Sequence, residues 1–131
     1  MPPVTHTFAP GVIPTEHQEQ AALCRWWAVY CKQQGIPERL LFHIPNEAHR
    51  SYTLAARLRS EGMRAGVPDL CLAVPRGSYG ALFIEMKRTK HWRLSDEQKA
   101  ALSDFEGAGN RVAVCKGAAE AMDVIQDYLR G

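Results

Sequence analysis

The sequence predicts an α/β domain in which helices cover a central sheet. Two observations point there. Four stretches read as helices by spacing or capping, and four short apolar runs read as strands. The two kinds alternate along the chain (helix, strand, helix, two strands, helix, strand, helix), the pattern of a mixed sheet with helices packed on it. At 131 residues the chain suits one domain. Roughly two thirds of the unfolded surface can be buried at that size, so a core forms without covalent staples.

Residues 1–14 contain four prolines and no periodicity, which predicts a loosely ordered or surface-lying arm ahead of a single domain over 15–131. Thr15 then stands as an N-cap, with Gln18 at the capping-box position. "EHQEQAALCRWWAVYCKQQG" carries Leu23, Trp26, Trp27 and Tyr30 at helical spacing and ends at Gly35. The tryptophan pair reads as core, but one of two adjacent helix residues should leave the stripe. That one is expected to meet the arm or another subunit.

"LLFHIP" is a short apolar run stopped by Pro45, hence a strand. "SYTLAARLRSEG" is a helix capped by Ser51 and closed by Gly62. "VPDLCLAVPRGSYGALFIEMK", residues 67–87, supplies strands at about 69–74 and 81–87, joined by turn residues Pro75 to Tyr79 with Gly77 at the centre. "SDEQKAALSDFEGAG" follows as a helix, "RVAVC" as a strand and "GAAEAMDVIQDYL" as a last amphipathic helix.

Composition excludes more than it assigns. The net charge of +2 does not mark a polyanion binder, so local charge has to carry any such reading. Cys24, Cys31, Cys71 and Cys115 form no Cys-x-x-Cys and sit inside helix or strand runs, which favours buried, reduced thiols of a cytoplasmic protein over disulfides. The histidines show no zinc-ligand spacing with them. No secretory h-region and no apolar run of roughly 20 residues is present, so no membrane partner is expected.

The chemistry lies in the hairpin. A turn centred on Gly77 sets Leu72 opposite Leu82, Leu70 opposite Ile84, and Asp69 opposite Glu85. Directly opposed carboxylates repel unless a cation bridges them. Glu85 and Lys87 are two apart and share a face. Two carboxylates at this spacing suit Mg²⁺, and a neighbouring ammonium can stabilise charge on phosphorus, a set for phosphodiester hydrolysis. The bland alternative is a surface ion pair between Glu85 and Lys87.

"GVPDL", "LFIEMKR" and "LSDEQ", with "HIPNEAHRS" and "EGMRAGVPDL", resemble the PD-(D/E)xK nuclease superfamily and, within it, the small stand-alone phage and bacterial members of the VRR-NUC (virus-type replication-repair nuclease) group. The resemblance spans about residues 15–130. It implies a restriction-endonuclease-like αβββαβ core with Asp69 and Glu85 as metal-binding carboxylates and Lys87 as the catalytic lysine. It also implies the Met86 carbonyl as a further ligand, Gln98 on the following helix, and a first-helix acid. Glu16, with Gln20, matches a Glu-x-x-x-Gln opening, although Glu19 shares a face with Leu23 and Trp26. Glu16 also reads as helix-dipole stabilisation, and Gln98 as a capping box with Ser95 that competes for the same side chain.

"KRTKHWR" places Arg88, Lys90 and Arg93 around Trp92, while Arg50, Arg57, Arg59 and Arg64 precede Asp69. Positive charge thus flanks the proposed site, where phosphates would enter. No base-reading module is apparent, so backbone and shape should be recognised. The expectation is a Mg²⁺-dependent DNA endonuclease, with Mn²⁺ able to substitute. The family likeness adds branched or Holliday-junction DNA, a homodimer, and work in replication, recombination or repair in a bacterial or phage-infected cell. The alternatives are a non-catalytic nucleic-acid-binding subunit and a sequence-specific restriction enzyme.

Overall fold

The computed structural model describes residues 11–45 and 51–131. Most of the predicted arm, and Arg50 with the segment before the second helix, lie outside the described residues. The elements run α1 (Glu16–Gln34), β1 (Leu41–His43), α2 (Tyr52–Ser60), β2 (Leu70–Leu72), β3 (Leu82–Lys87), α3 (Asp96–Gly107), β4 (Arg111–Lys116) and α4 (Ala118–Arg130), with a short 3-10 turn at Glu38–Leu40. The sheet order is β1-β2-β3-β4. β1 and β3 flank β2 antiparallel, and β4 joins β3 parallel, which requires the α3 crossover between them. This is the predicted mixed sheet flanked by helices.

Local signals set the boundaries. Thr15 and Gln18 form a reciprocal capping box at the start of α1, and Gly35 closes the helix in the left-handed region at φ 69°. Ser51 caps α2 by accepting from Leu54 N. The hairpin has the predicted register, with Leu70 opposite Ile84 and Leu72 opposite Leu82. β2 (Leu70–Leu72) is shorter than the predicted 69–74, and beyond its end the Val74 carbonyl accepts from the Tyr128 hydroxyl at 2.6 Å. At the tip, Arg76 and Tyr79 exchange both main-chain hydrogen bonds around Gly77 and Ser78.

Alternation along β3 divides its side chains between two faces. Leu82, Ile84 and Met86 join Leu70, Leu72 and Cys115 against the buried residues of α1 and α4. Phe83, Glu85 and Lys87 face α3, where Phe83 and Phe105 pack with centroids 4.5 Å apart.

Two expectations are corrected. Trp26 and Trp27 are both 2% exposed within the single chain, so neither is left open for another subunit, and a contact with the arm lies outside the described residues. The 3-10 turn folds back over the second ring, and Trp27 Nε1 donates to the Glu38 carbonyl at 2.8 Å. Cys24 is exposed, whereas Cys31, Cys71 and Cys115 are buried, and all four thiols are free.

One closure sets the site. The chain leaves the sheet at Ile44 and returns at Asp69, where Ile44 N donates to the Asp69 carbonyl at 2.8 Å. The chain thus leaves and re-enters the sheet at one point.

Candidate active site

Asp69 arrives on a loop pinned to α3. Gly66 has φ +79°, and a Cβ there would stand 2.6 Å from the Glu97 carbonyl group. Only glycine meets both conditions without strain. Pro68 is buried behind it, so Asp69 enters the sheet end with little freedom. β2 starts one residue later, and the Asp69 side chain serves as a strand partner there: its Oδ2 accepts from Met86 N at 2.7 Å. In a strand, one residue's N–H and C=O point the same way. The Met86 carbonyl therefore also faces the gap that Asp69 fills. Lys87 alternates, with its carbonyl accepting from Gly117 N on the β4 side at 2.9 Å.

Glu85 is 2% exposed and Lys87 5%. Lys87 Nζ donates to Gln98 Oε1 at 3.1 Å, and Gln98 Nε2 lies 3.5 Å from Glu85 Oε2. Gln98 Oε1 also accepts from Ser95 N at 2.9 Å, completing the capping box of α3. The two roles expected to compete for Gln98 are thus filled together. The amide oxygen serves the helix start and the lysine, and its nitrogen turns to the carboxylate.

Burial pushes the Glu85 carboxyl up to about 9; a hydrogen bond that its protonated form donates to Asp69 and the charges of Asp69 and Glu16 add to this, and Lys87 opposes it. The Asp69 carboxyl is close enough to act on Glu85, yet Glu85 Oε1 has no partner in ordinary hydrogen-bond geometry. Buried polar atoms without partners are rare in folded chains. Among the described residues, two buried side-chain atoms lack one: Glu85 Oε1 and Arg88 Nε. An orphaned acceptor calls for a cation and an orphaned donor for an anion, and the two residues bracket Lys87 in sequence.

The first-helix acids separate. Glu19 is 4% exposed, and its Oε1 accepts from Ala118 N at 3.0 Å. It supplies from another element the cap that Gly117 cannot. Exposed Glu16 instead acts on Glu85 through its charge. It does not complete a trio, since among the described residues no three His, Cys, Asp or Glu side chains gather to hold a metal. The oxygens here that could hold a cation are the two carboxylates, Asp69 and Glu85, and the Met86 carbonyl. Gln20 Nε2 lies 3.1 Å from His43 Nδ1, which lies 3.1 Å from the Asp69 carbonyl. Sequence reasoning missed His43, because a histidine ending a three-residue strand gives no signal of its neighbour.

The predicted phosphate contacts are distributed unevenly. Arg88 is half-buried, whereas Lys90, Trp92 and Arg93 are exposed beyond β3. Arg64 Nη1 turns back to the carbonyls of Arg59 and Met63, each at 3.3 Å, and Arg57 pairs with Glu61 at 3.6 Å. The segment after β3 thus presents freer charge than the one before Asp69.

A comparison with curated proteins finds no match. Among solved structures, the chain is similar to a VRR_NUC domain protein, with a TM-score of 0.77, 28% identity and 91% of each chain covered. The model of the VRR-NUC domain matches residues 11–119. With most of its length matched and the Asp69, Glu85 and Lys87 constellation within that span, the chain belongs to the VRR-NUC domain family.

Proposed function

We propose that the protein is a Mg²⁺-dependent endonuclease that hydrolyses phosphodiester bonds in branched DNA, acting as a homodimer and accepting Mn²⁺ in place of Mg²⁺. The observation that carries the reading is the pair of orphaned atoms, Glu85 Oε1 and Arg88 Nε, on residues that bracket buried Lys87 in sequence. Asp69, Glu85 and the Met86 carbonyl are hard oxygen donors that fit a cation of this kind. When bound, the cation polarises a phosphoryl oxygen and lowers the pKa of a coordinated water. The remaining work falls to the chain.

Lys87 places its ammonium against the charge that develops on the phosphoryl oxygens, an electrostatic effect strengthened by burial. Gln98 Oε1 accepts a hydrogen bond from the Lys87 ammonium and fixes its direction. Arg88 holds the phosphate in place through the donor that is otherwise unpaired. Glu16 adds negative field at the rim and favours the cation without ligating it.

The test is cleavage of labelled duplex, flap, single-stranded and four-way DNAs with Mg²⁺, Mn²⁺ or EDTA. Internal cuts in branched DNA that need the metal are expected. DNA binding without product under every condition would replace this reading with a non-catalytic binding subunit.

A further inference from the structure

We propose that Lys116 is a second phosphate-binding ammonium beside Lys87, and that Glu120 occupies it until DNA arrives. The inference rests on the nuclease reading above and names a contact within its DNA surface. Lys116 is the parallel partner of Lys87 across β3 and β4, so the two side chains leave the sheet on the same face. Adjacent strands are about 4.8 Å apart. Like charges at that spacing repel unless each finds a counter-charge.

The two lysines resolve this by diverging. Lys87 turns inward to Gln98, and Lys116 turns outward, 2.9 Å from Glu120 Oε1 and 5.4 Å from the centre of the Trp92 ring. The lysine side chain is 33% exposed and that of Glu120 41%, so the pair is open to exchange with a phosphate. An ion pair in such a setting is weak, and an incoming phosphate competes with it at little cost.

The surrounding backbone is arranged to hold the lysine and tryptophan together. His91 adopts φ +58°, the one non-glycine residue with positive φ among those described, and so reverses the chain directly ahead of Trp92. Thr89 packs against Gly117, where a Cβ would lie 2.8 Å from its Cγ2. The strap after β3 is therefore seated on the start of α4, with the ring of Trp92, 42% exposed, beneath the ammonium of Lys116. A cation above an open indole offers a phosphate contact and a stacking surface for a base. The expected occupant is a DNA strand whose scissile phosphate lies at Lys87, with a neighbouring phosphate at Lys116.

The experiment is binding of fluorescently labelled four-way and duplex DNA to the full chain in Ca²⁺ at several salt concentrations. Wild type, Lys116→Ala, Glu120→Gln and the double variant are compared, with circular dichroism to verify folding. Lys116→Ala should weaken binding and reduce the slope of log affinity on log salt by about 0.9. Glu120→Gln should tighten binding on the order of two- to fivefold, because the competing pair is gone. In the Lys116→Ala background the same change should gain little, a coupling that a purely structural pair would not show. A wild-type salt slope in Lys116→Ala, or an equal gain from Glu120→Gln with and without Lys116, would overturn the proposal and leave the nuclease reading standing. Wild-type protein that bound none of these DNAs would remove both.

Discussion

Asp69 Oδ2 accepts the main-chain N–H of Met86 at 2.7 Å, so a side chain continues the sheet where β2 has not yet begun. The bond holds one carboxylate beside the other before any ligand is present. Removing either carboxylate's charge should therefore harm metal binding more than folding. Asp69→Asn and Glu85→Gln are expected to abolish cleavage while retaining the fold, since neither adds a buried charge and Asn keeps an oxygen to accept from Met86 N. Calorimetric titration with Mn²⁺ checks this, and unchanged metal affinity in both variants would remove them as ligands.

The burial of Glu85, with Asp69 beside it, predicts how stability depends on pH. Glu85 is raised from 4.5 to about 9 in the folded protein, mainly by burial. Between those values the unfolded chain has released a proton that the folded chain keeps, so its contribution is full below about 4.5 and is lost as pH rises through about 9. In EDTA, the urea midpoint of the wild type should fall across that window relative to Glu85→Gln. Parallel profiles for the two proteins would contradict the shift. Divalent metal should bind more tightly at higher pH, with proton release.

Lys87 should matter to chemistry more than to affinity. Lys87→Ala is expected to leave Mn²⁺ binding largely intact and to slow single-turnover cleavage by on the order of a hundredfold, about 2.7 kcal/mol. A near-normal rate would reduce Lys87 to a structural partner of Gln98.

Gly66→Ala tests the pinned loop. The new Cβ meets both the left-handed strain, about 1–2 kcal/mol, and a backbone clash, about 1–3 kcal/mol for overpacking. Gly109→Ala, where φ is +96° and nothing lies within 4 Å, should incur only the first. Urea unfolding should rank Gly66→Ala clearly below Gly109→Ala; equal losses would show that the loop yields.

Replacing Arg88, Lys90 and Arg93 together with Ala should lower the salt slope of DNA binding by a little under one unit for every phosphate that is no longer neutralised. The weakening should be alike across sequences of one shape. A wild-type slope in the triple variant would place the DNA path elsewhere.

Much of this architecture was legible because its causes are local. Capping at Thr15, Ser51 and Ser95, the apolar runs and the turn around Gly77 gave the element order and the Leu70–Ile84 register. Features that depend on docking were not legible. Glu19 became a cap because α4, distant in sequence, brings Ala118 N to it. Trp27 is buried because a 3-10 turn returns over it, which no helical periodicity reports. Lys116 neighbours Lys87 only through parallel pairing across the α3 crossover, and such pairing leaves no turn signal in the sequence. Gln98 was seen in both of its roles, but not that one amide fills them together.

The closure between Ile44 and Asp69 also bears on how such a protein diversifies. Because the chain departs and returns within one hydrogen bond, the segment around α2 (Tyr52–Ser60) can change in length or content without shifting the carboxylates, provided the Gly66–Pro68 turn that seats Asp69 is kept. Loop-closure cost rises by only about 0.6 kcal/mol for each doubling of a flexible segment. An inserted element there would sit beside the chemistry yet remain outside its framework, so substrate preference could evolve in that segment while the hydrolytic machinery stayed fixed.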